Sequence, residues 1–196
     1  GRRGRGAGTR SEGSWSERGA RARFSRARPA LDGEGRFLAL SVDTLACLGA
    51  YVTHRGASIP GYFYGAVFGS LYTTPAIHCR VRGVYTNTSP VHAYRGAGRP
   101  EAFTVLERLV DTAAHDLGLD PAALRAKNLI PRERFPYRSA TGLIYDTADP
   151  PALLAKLLSV EHLIFGNDGL YAHFRLPPVS SKRRRGIASR RYTMRS

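Results

Sequence analysis

Two arginines flank a short glycine-containing loop directly ahead of a predicted helix. The segment Arg95–Arg99 reads Arg-Gly-Ala-Gly-Arg, and Pro100 follows it in the first turn of that helix. Free backbone amides at a helix N-terminus attract anions, and glycines let the backbone approach a ligand closely. Arginine side chains add fixed positive charge and two parallel donors. The loop could therefore bind a phosphate, a carboxylate or an oxo group on a metal cofactor.

The loop does not match the common phosphate-binding patterns. No Gly-Lys-Ser or Gly-Lys-Thr follows it, as a P-loop requires. Gly96 and Gly98 also lack the third glycine and the leading strand of the dinucleotide-binding pattern. The residues alone leave a structural alternative open, in which a glycine turn leads into an amphipathic helix and the arginines are only solvated.

Other combinations of reactive side chains give weaker indications. Cys47 and Cys79 form neither a disulfide framework nor a four-ligand zinc site. His78 and Cys79 are adjacent on a predicted strand, so their side chains point to opposite faces, which argues against a metal site. No strand-elbow motif surrounds a serine, and no catalytic triad is therefore predicted from Ser89, His92 and Asp111.

The positive charge of the chain is concentrated at its two ends. Of the net +15, residues 1–30 contribute +7 and residues 170–196 contribute +8, so the middle is neutral. Blocks of like charge are typical of solvated tails and sometimes of nucleic-acid contacts. Two alternative interpretations of the chain therefore stay open. It could be a basic nucleic-acid-binding protein that uses its Arg-rich ends, or a decayed, non-functional reading frame. No apolar run reaches the 18 residues of a membrane span.

Strand and turn signals precede the loop. Turn residues at 32–35 followed by an apolar stretch at 36–48 predict a hairpin. Residues 77–88 alternate between apolar and polar, which indicates a half-buried strand. The Gly-, Tyr- and Pro-rich residues 52–75 are expected to be irregular, with three tyrosines packed in a loop-rich core: Tyr62, Tyr64 and Tyr72.

Three helices are predicted after the loop. The first begins near Pro100, ends at Gly118 and has one apolar face, formed by Phe103, Leu106, Val110, Ala113 and Leu117. The second begins at Asp120 as N-cap, with Pro121 in its first position, and runs towards Asn128. A short third helix is expected at 151–160, and no periodicity is found from residue 166 onward.

Several longer motifs resemble one enzyme family. They are "LDGEGRFLALSVDTLACLGAYV" at 31–52, "TTPAIHCRVRGVYTNT" at 73–88, "AYRGAGRPEAFTVLERLV" at 93–110 and "FPYRSATGLIYDTAD" at 135–149. In this order they resemble the large, molybdenum-binding subunit of the xanthine dehydrogenase, aldehyde oxidase and aerobic carbon monoxide dehydrogenase family. The resemblance covers about residues 9–160, and the chain is identified as a fragment of such a subunit.

The resemblance implies a fold and a domain organisation. The expected fold is α+β, part of a molybdopterin-binding domain in which a mixed sheet is flanked by helices. Residues 1–8 would be a low-complexity basic end, and residues 9–144 the C-terminal part of a first molybdopterin-binding domain. Residues 145–196 would begin a second such domain, degraded and basic after about residue 165.

The resemblance also implies an activity and its partners. The enzyme would be a cytoplasmic, molybdenum-dependent oxidoreductase that hydroxylates small-molecule aldehydes or N-heterocycles with water. Its cofactor would be a molybdopterin in the cytosine dinucleotide form. FAD would be bound on a medium subunit and a 2Fe-2S cluster on a small subunit, and neither a membrane nor nucleic acid is expected as a partner.

By the same resemblance, four residues would lie at the cofactor. Arg95 would contribute a backbone amide near the molybdenum, and Gly96, Ala97 and Gly98 would shape the pocket wall. Gly96 occupies the position of a copper-binding cysteine in carbon monoxide dehydrogenases, which argues against CO oxidation. Ala97 replaces a phenylalanine that stacks on flat substrates in xanthine-type enzymes, so the substrate stays open.

The family's other catalytic motifs have no counterpart in the sequence. They are an upstream Gly-Gly-Gly-Phe-Gly loop, a glutamine-containing loop at the pterin and a glutamate near the C-terminus that acts as base. No catalytic residue is therefore predicted, and the chain is expected to be inactive alone.

Overall fold

The computed structural model describes residues 22–165, 188–189 and 192–195. The helices are α1 (Arg99–Leu117), α2 (Pro121–Asn128) and α3 (Pro150–Phe165). The strands are β1 (Arg23–Leu31), β2 (Phe37–Gly49), β3 (Ala76–Tyr85), β4 (Tyr137–Arg138), β5 (Ile144–Tyr145), β6 (Ala188–Ser189) and β7 (Tyr192–Arg195). The low-complexity end at 1–8 and most of the basic C-terminal segment lie outside the described residues.

The hairpin predicted from the turn residues is confirmed as β1 and β2. The two strands pair antiparallel, with Ala27 opposite Val42. Asp32 stabilises the turn between them, because its Oδ1 accepts hydrogen bonds from the backbone N–H groups of Glu34 at 3.0 Å and Arg36 at 2.8 Å.

The predicted strand near residues 77–88 is confirmed as β3, which pairs parallel to β2. The larger sheet has the order β3-β2-β1-β6, and β7 also pairs with β1. Because β1 and β2 are antiparallel whereas β2 and β3 are parallel, the sheet is mixed. With α1 packed on it, the predicted α+β fold is confirmed.

The crossover from β2 to β3 is more regular than the sequence predicts. It contains a π-helical turn at Ile59–Phe63 and a 3-10 turn at Ala66–Gly69. Tyr64 and Phe68 are fully buried beside these turns, with ring centroids 4.8 Å apart in an edge-to-face arrangement. Burial of these rings outweighs the low helix propensity of the glycines, so the expectation of an irregular segment was partly wrong.

Helix α1 packs against the inner face of the sheet, but on a face rotated from the predicted one. Leu106, Val110 and Ala113 are buried as expected, whereas Phe103 is 40% exposed. The helix instead buries Ala102 and Glu101 in its first turn, and this rotation carries Phe103 outward. The core consists of the buried side chains of β1, β2, α1, α2 and the crossover, among them Ala27, Leu31, Leu40, Val42, Phe68, Leu109 and Leu124.

Helix α2 begins at its predicted cap. The Asp120 carboxylate accepts a hydrogen bond from the Ala123 backbone N–H at 2.7 Å. At its other end the Asn128 side chain bonds the hairpin turn, donating to the Gly35 carbonyl at 2.9 Å. Helix α3 is longer than the predicted helix at 151–160. In the described part of the chain, no helix is long and apolar enough to cross a membrane.

Candidate functional site

The loop ahead of α1 adopts an unusual backbone conformation. Gly96, Ala97 and Gly98 have φ angles of 84°, 43° and 91°, so three consecutive residues lie in the left-handed region. For an L-residue such as Ala97 this conformation costs roughly 1–2 kcal/mol. Strained backbone of this kind concentrates at sites where a ligand is held.

At Gly96 and Gly98 a side chain is excluded by close neighbours as well as by the positive φ angle. A Cβ on Gly96 would lie 2.6 Å from the Pro100 ring, closer than real Cβ contacts allow. A Cβ on Gly98 would lie 2.5 Å from the Ile59 carbonyl oxygen and 3.1 Å from the Tyr64 nitrogen. The loop is therefore packed directly against the π-helical turn, and its shape is fixed from two sides.

The loop amides lie at the positive end of a long helix. Helix α1 has 19 residues and Gly98 as its N-cap. The Ala97 amide donates to the Tyr94 carbonyl at 2.9 Å and the Arg99 amide to the Gly96 carbonyl at 3.1 Å. The exposed Gly96 amide has no acceptor among the described residues. An anionic ligand could therefore accept a hydrogen bond there, where the helix dipole favours it.

Two exposed arginines and two exposed tyrosines surround the loop. The Arg99 guanidinium lies 5.3 Å from the ring centroid of Phe63, and the Arg95 guanidinium 5.8 Å from that of Tyr94. Tyr94 is 51% and Tyr62 67% exposed. Tyr64 and Tyr72 pack in the core as predicted, but the same prediction for Tyr62 was wrong because its ring lies at the surface beside Phe63.

A buried polar cluster supports the loop from the sheet side. Arg23 and Glu101 form an ion pair at 3.3 Å with side chains that are 3% and 5% exposed. The Arg23 guanidinium also lies 4.7 Å from the Tyr64 ring centroid. The Tyr64 hydroxyl hydrogen-bonds the hydroxyls of Ser25 at 3.0 Å and Thr44 at 3.1 Å.

Burial raises the pKa of Tyr64 above its ordinary value, although its bonds to Ser25 and Thr44 oppose the change. Tyr64 is therefore neutral and can donate a hydrogen bond within the cluster. The prediction that places Arg23 in a solvated basic end was wrong for this residue. The local indication of a charged contact at this place was Glu101, an acidic residue in the first turn of a helix.

The other reactive side chains that the structure describes do not assemble into a site. Among the described residues there is no group of three or more His, Cys, Asp or Glu side chains that could hold a metal. Asp111, considered for a triad, is instead paired with Arg125 at 2.8 Å. Cys47 and Cys79 are both free thiols.

The family model of the molybdopterin cofactor-binding domain matches residues 1–129, which include the loop, the sheet strands β1 to β3 and helix α1. The match therefore places this part of the chain in the class of cofactor-binding domains. The chain belongs to the molybdopterin cofactor-binding domain family. This confirms the family that the motifs indicated.

Individual relatives agree with the family. The carbon monoxide dehydrogenase large chain of Hydrogenophaga pseudoflava is 40% identical over 128 residues, which are 64% of this chain and 16% of that protein. The xanthine dehydrogenase molybdenum-binding subunit of Escherichia coli O157:H7 is 36% identical over 95 residues, 48% of this chain and 12% of that protein.

A solved structure shows the same architecture. Quinoline 2-oxidoreductase from Pseudomonas putida 86 superposes with a TM-score of 0.72 at 28% identity, over 80% of this chain and 20% of that chain. The chain therefore spans about a fifth or less of the length of these relatives.

Proposed function

We propose that this chain is the part of a molybdenum-dependent oxidoreductase that presents the Arg95–Gly98 loop to a molybdopterin cofactor. The observation that carries the proposal is the run of three left-handed residues at the N-terminus of α1, with both glycines forced by their neighbours. Its membership of the molybdopterin cofactor-binding domain family supports the same conclusion.

The residues of the loop fit an anionic cofactor. The backbone of Gly96 and Gly98 has no Cβ to separate it from a ligand, and the exposed Gly96 amide can donate to an oxygen of that ligand. Arg95 and Arg99 place two positive charges at the same helix end. The tyrosines beside them, Tyr62 and Tyr94, are exposed and offer flat apolar surface at the rim.

The proposed division of labour gives this chain a binding and orienting role. When bound, a molybdopterin supplies the redox chemistry by which a substrate carbon gains oxygen from water. The loop holds the cofactor, the arginines screen its negative charge, and the packing of Gly98 against Ile59 keeps the loop from moving away. Fixed donors of this kind need no rearrangement during the reaction.

We further propose the cytosine dinucleotide form of the cofactor, a cytoplasmic enzyme, and partner subunits that carry FAD and a 2Fe-2S cluster. The substrate is an aldehyde or an N-heterocycle. Gly96 leaves no thiol in the loop for copper, which argues against CO as substrate. The boundary near residue 144 between two molybdopterin-binding domains stays a prediction.

The proposal is tested by cofactor content. The chain is expressed in bacterial cells that make molybdopterin, alone and with the rest of its assembly. Molybdenum is measured by elemental analysis and the pterin by fluorescence after oxidation. We expect both in the assembly at about one per chain, with substrate turnover only there.

Arg95→Ala and Gly98→Ala variants locate the site. Both should lower cofactor content, the first by removing charge and the second by displacing the loop. The matched control is Gly118→Ala at the other end of α1, where a Cβ meets no atom within 4 Å. If Arg95→Ala and Gly98→Ala retain as much molybdopterin as Gly118→Ala, the loop does not bind the cofactor.

A further inference from the structure

The first turn of α1 carries a buried ion pair immediately behind the loop. Arg23 of β1 and Glu101 of α1 lie 3.3 Å apart, and their side chains are 3% and 5% exposed. Burying two charges is costly unless they face each other closely. Because Glu101 is three residues after Gly98, the pair holds the first turn of α1, which directly follows the loop, against the sheet.

The ion pair is continuous with the surface on which the loop rests. The Arg23 guanidinium stacks 4.7 Å from the ring centroid of Tyr64. The backbone nitrogen of the same tyrosine would lie 3.1 Å from a Cβ on Gly98. The Tyr64 hydroxyl is in turn bonded to β1 and β2 through Ser25 and Thr44. One tyrosine thus contacts the loop with its backbone and the ion pair with its ring.

We propose that Arg23 and Glu101 are positioning residues that hold the Arg95–Gly98 loop in its left-handed conformation through Tyr64 and the first turn of α1. The pair sets the rotation of that turn, and the ring of Tyr64 supports the π-helical turn against which Gly98 packs. What the loop binds rests on the proposed function, whereas the position of the loop can be measured without any ligand.

A second ion pair on the same helix provides the matched control. Arg125 of α2 pairs with Glu107 and Asp111 of α1, each at 2.8 Å. The carboxylates are 38% and 37% exposed and bind α1 to α2, and Glu107 also accepts a hydrogen bond from the Tyr72 hydroxyl at 3.0 Å. Loss of this pair should loosen the contact between the helices without reaching the loop.

Hydrogen exchange of the 196-residue chain, followed by mass spectrometry, tests the inference. Glu101→Gln keeps the size of the side chain and removes its charge. Amides of the peptide spanning 94–102 should exchange about tenfold faster or more in this variant, because the loop opens locally. Amides of β2 should exchange as before, and Glu107→Gln should leave the 94–102 peptide unchanged.

Two results would overturn the inference. One is unchanged exchange of the 94–102 peptide in Glu101→Gln, and the other is an equal acceleration in every peptide, which is loss of overall stability. If Glu101→Gln does not fold, Arg23→Lys replaces it, since this variant keeps the charge and loses the flat stacking on Tyr64. It should give a smaller acceleration confined to the same peptide, and an unchanged peptide would contradict the proposal.

Trypsin provides a second readout at the same place. Arg99 precedes Pro100 and resists cleavage, so cutting inside the loop occurs after Arg95. This bond should be cut faster in Glu101→Gln than in the parent chain and in Glu107→Gln. Neither readout needs the cofactor. If the loop opens as expected but the assembly that contains this chain binds no molybdopterin, the proposed function is contradicted and the positioning role is left intact.

Discussion

The two ends of helix α1 are built from the same kind of residue and differ in their surroundings. Gly98 and Gly118 both have positive φ angles, 91° and 68°, and each caps the helix. Around Gly98 the backbone of Ile59 and Tyr64 leaves no room for a side chain, whereas a Cβ on Gly118 meets nothing within 4 Å. A glycine that only caps a helix needs a positive φ angle and no close neighbours. The crowding around Gly98 indicates a loop that is held in place.

The two ends also differ in their charged contacts. At the loop end a buried ion pair joins the helix to the sheet, with both side chains at most 5% exposed. At the other end His115 is 77% exposed and lies 3.8 Å from Asp116. The loop end therefore combines strain, close packing and buried charge, and the C-terminal end has an ordinary solvated helix terminus.

The largest expected effect concerns the two thiols, since Cys79 packs against the core beside Gly65 of the crossover and Cys47 lies on the outer face of β2. Burial, together with the charge of Asp43, raises the pKa of Cys79 to about 11. Burial also acts on Cys47, but its bonds to Thr86 and Thr88 outweigh this and lower its pKa. At pH 8 about one thousandth of Cys79 is thiolate, so iodoacetamide should label Cys47 at least about a hundredfold faster.

The pH dependence of labelling sharpens this test. The rate at Cys79 should rise about tenfold per pH unit from pH 8 to pH 10, because the thiolate fraction grows until the pKa is passed. The rate at Cys47 should level off at lower pH. Equal labelling of both thiols at pH 8 in the folded chain, measured by mass spectrometry, would mean that the core around Cys79 is open to solvent.

Substitution of the two capping glycines is the next largest effect. Gly98→Ala combines the left-handed conformation, roughly 1–2 kcal/mol, with overpacking against Ile59, roughly 1–3 kcal/mol. Gly118→Ala meets only the first of these costs. Urea unfolding should therefore show a loss of about 3 kcal/mol for Gly98→Ala and about 1 kcal/mol for Gly118→Ala. Equal losses would remove the distinction between the two ends.

A smaller effect is expected just beyond the C-terminal end of α1. Asp120→Ala removes the hydrogen bond that caps α2 at the Ala123 amide, and the free energy of unfolding should fall by about 1 kcal/mol. Asp120→Asn keeps an acceptor and serves as the control. The loss should not change hydrogen exchange of the loop. An altered exchange rate at 94–102 would show that the two ends are coupled.

The smallest effect should come from relief of strain in the loop itself. Ala97 has a φ angle of 43°, and glycine adopts this region without steric cost. Ala97→Gly should leave stability within about 0.5–1 kcal/mol of the parent, because relief of strain is offset by the greater entropy of the unfolded chain. A loss comparable to that of Gly98→Ala would mean that the Ala97 methyl group makes essential contacts.

The features that the sequence predicts are those that depend on local chemistry. Asp32 at the hairpin turn, Asp120 at the start of α2 and Gly118 after α1 each act on residues within four positions of themselves. Their roles can be read from spacing because the partner is always near in the chain. The fold class and the helix that follows the loop were predicted on this basis and on the family resemblance.

The features that the sequence did not predict depend on contacts between distant residues. Arg23 lies among many basic residues, and nothing in its neighbours indicates that Glu101 will bury it. The contact of Gly98 with Ile59 likewise joins residues 39 positions apart. Phe103, two residues after the buried Glu101, is 40% exposed although its spacing placed it on the apolar face. Sequence spacing located the loop, and only the fold shows what holds it.

The most direct test of the central claim is a structure of the assembly that contains this chain, solved with molybdopterin bound. We expect an oxygen or sulfur atom of the cofactor about 3 Å from a backbone nitrogen of the Arg95–Gly98 loop. The loop should keep the positive φ angles of Gly96, Ala97 and Gly98. A cofactor bound away from this loop, with the loop amides facing only solvent, would contradict the proposed function.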